Sequence, residues 1–490
     1  MINAGQFVIS KREYCGYGFR HVKLNERFIL SYHQDLQVYI NQQYNMLLMG
    51  TVWNVMEDMP EPIAELEHLG NQYHGYIPDE QIDLVEKNWC GRYVLIVQGR
   101  VYLDAVGLFG IFFSKEGISS SSQILADVMG LPEKIYQPPA SINWLPAPLT
   151  HYEQIRRLFP GQVYDYIENK IYKRELVVQD LPENIGESGK IKYFTELFAQ
   201  SLRNMAQAVP DRKILIALTG GYDSRTLLAL AAYAGINFEC FTLEHENMSK
   251  ADMTIPRRLC DEVKCGYTYI PREKDQYSEK LNRDYGFHTG GFANDADRLF
   301  YSYGQYQKLT EKYGRCVLLR SSVWETVVFY YRKFIGDEFD PASIYGNYNA
   351  QGLVKESLQD YFIWIRNNRQ EGLNACNRFY WEQRCGSWLS AIEQSFDILE
   401  DCISLQPLNC RLLISLLLGF PKEERAAKEH QLKIISYACS KLRDIEFEGK
   451  GKQAGFRTYM LRIKKLLWRL RTMGIKKTMQ VYINIIKMKR

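Results

Sequence analysis

The chain has 490 residues, 46% of them apolar and 24% charged, with a formal net charge of +4. That length has room for more than one hydrophobic core, and the composition is that of a soluble globular protein, which excludes a disordered or fibrous chain. No apolar run reaches 18 residues and no basic stretch leads into an apolar core at the start, so neither a transmembrane helix nor a signal peptide is expected.

Eleven scattered cysteines without a C-x-x-C pair point to free thiols in a reducing cytoplasm. Cys260 and Cys265 are expected in the core rather than on a metal. The charge is unevenly placed: residues 457–490 carry eleven Lys or Arg and no acid, so the total of +4 leaves −7 on the rest.

From the start to about residue 180, short β-rich runs alternate with turns: 7–10, 27–32, 36–40 and 46–52. Residues 92–114 hold two strands across Gln98-Gly99-Arg100, a tight hairpin. Asp104-Ala105-Val106-Gly107 follows the second of these strands, and 119–122 precede a helix over 123–130. Phe159-Pro160-Gly161-Gln162 opens a further hairpin, 163–173, with a Glu168-Asn169 turn.

Next comes a run that changes character. Residues 214–218, ending at Leu218, read as a buried parallel strand. The strand enters Thr219-Gly220-Gly221-Tyr222-Asp223-Ser224, and an apolar run with helical spacing follows over 226–234. Strand, glycine turn and helix start aim backbone N–H groups and a helix dipole at one point, an anion site. Gly220 and Gly221 let a phosphate approach the backbone closely, and Thr219 and Ser224 add hydroxyls. Asp223 fits such a turn when a divalent cation, Mg2+ in the usual case, lies between it and the phosphates. The G-x-x-x-x-G-K-[ST] spacing is absent, so this is not the common P-loop. A strand over 237–243 ending at Leu243, a helix-like stretch from Asp252 to Gly266 and a short strand over 267–270 complete a doubly wound α/β unit. Ligands of such units bind at the carboxyl ends of the strands.

Further on, the strand 316–319 ends in Arg320-Ser321-Ser322, with Glu325 in a helix start. Glu325 reads as a metal-side acid or as a surface acid favoured there by the helix dipole alone. Arg384, Glu393, Pro407 and Arg411 follow, then Lys433. Lys450 and Lys452 sit among Gly449, Gly451 and Gly455, which reads as a loop able to close over substrate or as a solvated loop. The stretch 271–312 has no assigned role. The tail, 457–490, has apolar residues at helical spacing. It reads either as a membrane-surface or partner-binding amphipathic helix or as a terminal helix packed on the domain.

Thr219–Ser224 resembles the pyrophosphate loop, S-G-G-x-D-S, of enzymes that split ATP into AMP and pyrophosphate, with Thr219 for the first Ser. Gly91, Asp104, Gly107, Ser120, Pro160 and Gly161 stand where the glutaminase half of asparagine synthetase has its G-x-[FY] strand, D-x-x-G turn, S-S strand end and P-G hairpin. The chain is thus similar, over nearly its whole length, to the asparagine synthetase and β-lactam synthetase family. The resemblance implies an Ntn-type αββα sandwich over 1–185, then a doubly wound parallel α/β pyrophosphate-loop domain (adenine nucleotide α-hydrolase-like) over 186–456, then the basic tail. It implies ATP and Mg2+ as cofactors, with nucleotide contacts from Leu218, Thr219, Gly220, Gly221, Asp223, Ser224 and Leu243. Asp252 matches the family's acid after the second strand. Metal contacts would come from Asp223 and Glu325, and catalytic roles fall to Lys450, Lys452 and Glu325. Arg384, Pro407 and Arg411 match the family's late motif, and Lys433 its K-x-x-L-R.

The expected activity is amide formation in the cytoplasm from a small carboxylate and an amine, either aspartate and ammonia or another pair, through an acyl-AMP, without nucleic acid. Two departures stand against this reading. The family's terminal cysteine nucleophile is missing, since residue 2 is Ile2 and the first cysteine, Cys15, reads as buried in a strand or turn. The glycines expected around Arg320 are also gone. A catalytically inactive scaffold with the same fold is the alternative.

Overall fold

The computed structural model describes residues 4–56, 61–132, 145–146, 148–179, 186–245, 248–272, 296–328, 330, 352–399 and 401–447. Lys450, Lys452 and the basic tail lie outside them, as do 180–185, where the boundary between the two expected domains falls.

Among the described residues the first part holds twelve strands: β1 (Phe7–Ser10), β2 (Phe19–Lys23), β3 (Ile29–His33), β4 (Val38–Asn41), β5 (Met46–Asn54), β6 (Trp89–Val97), β7 (Arg100–Leu103), β8 (Phe112–Ser114), β9 (Gly117–Ser119), β10 (Arg156–Arg157), β11 (Gln162–Asp165) and β12 (Lys170–Lys173). They form two antiparallel sheets, ordered β10-β8-β9-β1-β3-β2 and β12-β11-β7-β6-β5-β4. Alternation along the strands assigns the faces. Leu47 and Met49 of β5 pack with Phe7, Ile9 and Leu30 between the sheets. Met46 and Leu48 point the other way, onto α1 (Pro62–Gln72) and α2 (Asp79–Glu86). α3 (Ser122–Met129) covers Val8 and Phe112 on the outer face of the first sheet. The layers therefore run helix, sheet, sheet, helix. The β6–β7 hairpin turns at Gln98 and Gly99, both with positive φ (54° and 90°), as a two-residue primed turn requires. The sequence reading missed β2, α1 and α2. Cys15 is exposed in the irregular stretch after β1, which corrects its reading as buried: Glu13 to Gly16 form no ladder that would fold it inward.

The second part centres on a parallel sheet of β13 (Lys213–Ala217), β14 (Phe238–Leu243), β15 (Gly266–Ile270), β16 (Cys316–Leu319) and β17 (Cys402–Leu405), ordered β15-β14-β13-β16-β17. All four pairings are parallel. α4 (Gly186–Ala208), α5 (Tyr222–Ala234) and α6 (Lys250–Val263) contribute to the main core with one face of the sheet, while Leu215, Phe241 and Leu318 on the other face join Leu309 and Phe396. The chain reverses its direction of strand addition between β13 and β16, so the switch point of this doubly wound sheet lies at their carboxyl ends. Cys240, Cys260 and Cys265 gather between β14, α6 and the start of β15, with sulfurs all within 4.8 Å of one another. Cys260 is buried as expected, but Cys265 is only half-buried. Hydrogen bonds from the Cys240 and Cys260 thiols hold the Cys265 thiol below the usual thiol range.

A buried polar seam joins the two parts. Asp104, fully buried, accepts from the N–H groups of Leu108 and Phe109 (both 2.8 Å) and from the Asn409 amide (2.8 Å). Asn409 also donates to the Gly91 carbonyl and accepts from the Val106 N–H at 2.9 Å. Arg92 makes a two-pronged ion pair with Asp397 at 2.7 and 2.6 Å. Glu86 is held by both Arg174 and Arg411. Gly161 is needed because a Cβ there would lie 2.0 Å from Glu382 Oε1. Asn409→Leu strands a buried carbonyl, a buried N–H and part of a buried carboxylate, so unfolding free energy should drop by about 3 kcal/mol or more. Denaturant unfolding tests this, and a change within about 0.5 kcal/mol would show that the seam does not hold the two parts together.

Candidate functional site

β13 delivers the glycine turn to the switch point. Leu218 donates its N–H to Phe241 at 2.9 Å and accepts the Thr242 hydroxyl at 2.7 Å, which continues the sheet up to the turn. Its side chain is buried in the main core. The turn then closes on its own hydroxyls. The Ser224 Oγ accepts from the Thr219 N–H at 3.1 Å and lies 3.0 Å from the Thr219 hydroxyl, and Thr219 Oγ1 accepts the Gly221 N–H at 3.3 Å. Gly220 donates its N–H to Asp252 at 2.7 Å. Asp252 is itself placed by the N-cap of α6, where Ser249 accepts its N–H at 3.0 Å. Gly221 is the N-cap of α5 and brings no side chain to cap it, so the positive end of that helix faces the turn.

β16 delivers a second loop beside the first. Arg320 donates its N–H to Leu405 at 3.0 Å and Ser322 donates its N–H to Gln406 at 2.9 Å. The Arg320 guanidinium pairs with buried Glu393 at 2.7 Å, and Gln406 donates to the same carboxylate oxygen at 2.8 Å. Ser322–Thr326 form one 3-10 turn, and Glu325 rises from it.

Asp223 and Glu325 meet on a single cation. The Lys428 ammonium lies 3.1 Å from Asp223 Oδ1 and 2.7 Å from Glu325 Oε1. Gln431 donates to the same Asp223 oxygen at 2.8 Å. Lys428 occupies a left-handed junction (φ 59°) between the helices Lys422–Ala427 and Glu429–Cys439. Burial pulls its pKa down, but Asp223 and Glu325 outweigh that and hold it above the ordinary lysine value. The ammonium stays charged at neutral pH.

Arg225 clamps the segment that follows. Its guanidinium donates to the carbonyls of Leu442 (3.0 Å), Ile445 and Glu446 (2.7 Å) and lies 3.7 Å from the centre of the Phe447 ring. Phe447 in turn stacks on Tyr222 of the turn, with centroids 4.3 Å apart. Burial lowers the Arg225 pKa to about 10, still high enough to keep the charge.

The structure thus gathers Thr219, Gly220, Gly221, Asp223, Ser224 and Glu325 at one place. Leu243 ends β14 half-buried, packed with the Leu215 and Phe241 face of the sheet. Three family-matched residues do not reach the turn. Lys433 pairs with Glu187 and Glu424. Arg411 turns to Asp83, Glu86 and the Glu175 carbonyl, in the seam between the two parts. Arg384 lies 3.4 Å over the Trp388 ring. Lys428, Gln431 and Arg225 were missed from sequence. Nothing in their local spacing marks them, because their partners lie far away in the chain.

No family model matches the chain, and no curated protein matches it. Solved structures that overlap it include a glutamine-dependent NAD+ synthetase from Acinetobacter baumannii in complex with ADP (14% identity, 36% of this chain and 32% of that one, TM-score 0.22). Others are an NH3-dependent NAD synthetase from Campylobacter jejuni (13% identity, 42% and 95%, TM-score 0.22) and an NMN synthetase from Francisella tularensis (12% identity, 53% and 99%, TM-score 0.20). This chain spans 32% of the Acinetobacter enzyme's length. Likenesses at such TM-scores carry no weight for what this chain binds or does. Among the described residues, no helix is long and apolar enough to cross a membrane.

Lys428→Met leaves two carboxylates facing one another without their cation. The expected loss of stability is about 2 kcal/mol. Mn2+ should then raise the variant's Tm clearly more than the parent's, because the ion takes the vacated place. Equal Mn2+ shifts in both proteins would show that the two acids do not share a cation position.

Proposed function

We propose that the chain is an ATP-dependent amide-forming ligase that activates a carboxylate as an acyl-adenylate. The observation that carries this reading is the meeting of Asp223 and Glu325 on one cation at the switch point, directly beside the glycine turn. Two carboxylates from different strand ends already converge on a positive charge, so the donor set fits a divalent ion. Asp223 and Glu325 would hold Mg2+, which when bound neutralises triphosphate charge.

The protein's own groups do the positioning. Thr219 and Ser224 offer hydroxyl donors to the phosphates, with the α5 dipole behind them, and the N–H groups of Thr219, Gly220 and Gly221 join them once released from Ser224, Asp252 and Thr219. Leu218 and Leu243 flank the nucleotide at the ends of β13 and β14. Lys428, once the acids are engaged elsewhere, supplies an ammonium to the phosphate side. A substrate carboxylate oxygen attacks the α-phosphorus and pyrophosphate leaves. The amine nitrogen then attacks the acyl carbon and AMP leaves.

Lys450 and Lys452 are the proposed catalytic lysines, on the strength of the family resemblance. Phe447, three residues before Lys450 in the chain, stacks on Tyr222 of the turn. The helix–sheet–sheet–helix order supports reading 1–185 as a glutaminase-type (Ntn) domain, which we take to be degenerate. The substrates we propose are a small carboxylate and a small amine, and the location is cytoplasmic.

A second reading has its own observation. The N–H groups of Thr219, Gly220 and Gly221 are already satisfied within the protein, as they would be in a scaffold that no longer takes up nucleotide.

ATP–pyrophosphate exchange with a panel of carboxylates separates the two. The ligase shows carboxylate-dependent exchange, and Asp223→Ala abolishes it together with Mg2+-dependent ATP binding. In the ligase, Lys450→Ala or Lys452→Ala lowers the rate far more than it weakens ATP binding, the mark of a transition-state contact. Products of ADP and phosphate would rule out adenylation, and no exchange with any carboxylate would favour the scaffold. Glutamine should yield no glutamate. Glutamate release that is lost on Cys15→Ala would show that the exposed thiol acts as a nucleophile after all.

A further inference from the structure

We propose that Cys240, Cys260 and Cys265 form a binding site for a soft divalent metal ion of the zinc or cadmium class, separate from the glycine turn. The three thiols come from three elements: β14, the last turn of α6, and the residue before β15. Their sulfurs lie within 4.8 Å of one another, and Cys240 and Cys265 are 3.8 Å apart. A tetrahedral ion with metal–sulfur bonds of about 2.3 Å places its sulfurs about 3.8 Å apart. Binding therefore needs only small movements of the side chains.

The ligand type selects soft ions, since thiolate sulfur disfavours Mg2+ and Ca2+. Charge selects within that class. Three thiolates around a monovalent ion would leave two negative charges where Cys240 and Cys260 are fully buried, at high desolvation cost. A divalent ion leaves one. Among the described residues no fourth His, Cys, Asp or Glu joins the group. Water completes the tetrahedron beside Cys265, the half-buried member, and the thiol protons lost on binding pass to solvent. The ion would tie the last turn of α6 to the sheet, while the first turn of α6 holds the Gly220 N–H through Asp252.

The test titrates the full chain, reduced and oxygen-free, with Cd2+ and follows the thiolate-to-cadmium charge-transfer absorption. One tightly held ion per chain is expected. Cys260→Ser should weaken it by more than the roughly 100-fold that loss of an outer-shell partner costs. Cys265→Ser makes the same test at a half-buried position should Cys260→Ser fail to fold. Cys402→Ser, which alters a thiol on β17 paired in register with Cys316 of β16, should leave binding unchanged. Absorption that survives both Cys260→Ser and Cys265→Ser overturns the site, and so does a reduced chain that takes up no Cd2+. Neither outcome depends on whether ATP binds.

Discussion

Five residues, Leu405 to Asn409, hold the two parts of this protein and its candidate site in one frame. Leu405 and Gln406 receive the N–H groups of Arg320 and Ser322 and so fix the loop that carries Glu325. The Pro407 carbonyl accepts the Cys90 thiol at 3.2 Å, and Asn409 meets Gly91, Asp104 and Val106. One short stretch thus faces the sheet of the second part on one side and the sandwich of the first on the other. Its polar groups are buried, so each must find a partner, and this demand sets the relative placement of the two parts.

The site is a set of satisfied charges. Lys428 bridges Asp223 and Glu325, and Arg225 donates to the carbonyls of Leu442 and Glu446 while lying against Phe447. Each links the glycine turn to the chain between Lys428 and Phe447. A substrate that brings negative charge to this turn must rearrange these pairs. The turn is thus coupled to the helix Glu429–Cys439 and to the segment Leu442–Phe447.

Much of the site was legible because it is local. The run from Ile214 to Ser224 combines an apolar strand, two adjacent glycines and an acid in ten or so consecutive residues, and their neighbours in sequence are their neighbours in space. Glu325 was legible for the same reason, as the acid after a buried strand end. Lys433 and Arg411 matched a motif by spacing, yet spacing along the chain does not say which way a helix faces. Lys433 turns to Glu424 and Glu187, and Arg411 turns into the seam. The helices α1 and α2 were missed because they carry mixed polar and apolar residues and owe their stability to the sheet they cover.

The sequence by itself determined the parallel unit with its turn and the antiparallel hairpins of the first part, because these rest on backbone geometry and neighbouring side chains. Only the tertiary structure decided that Asp223 and Glu325 share one ammonium, that Lys428 provides it, and that three cysteines from separate elements meet. Those contacts depend on strand order and on the direction of each helix face. Both are settled by burying the apolar surface of the whole chain at once, which no local pattern encodes.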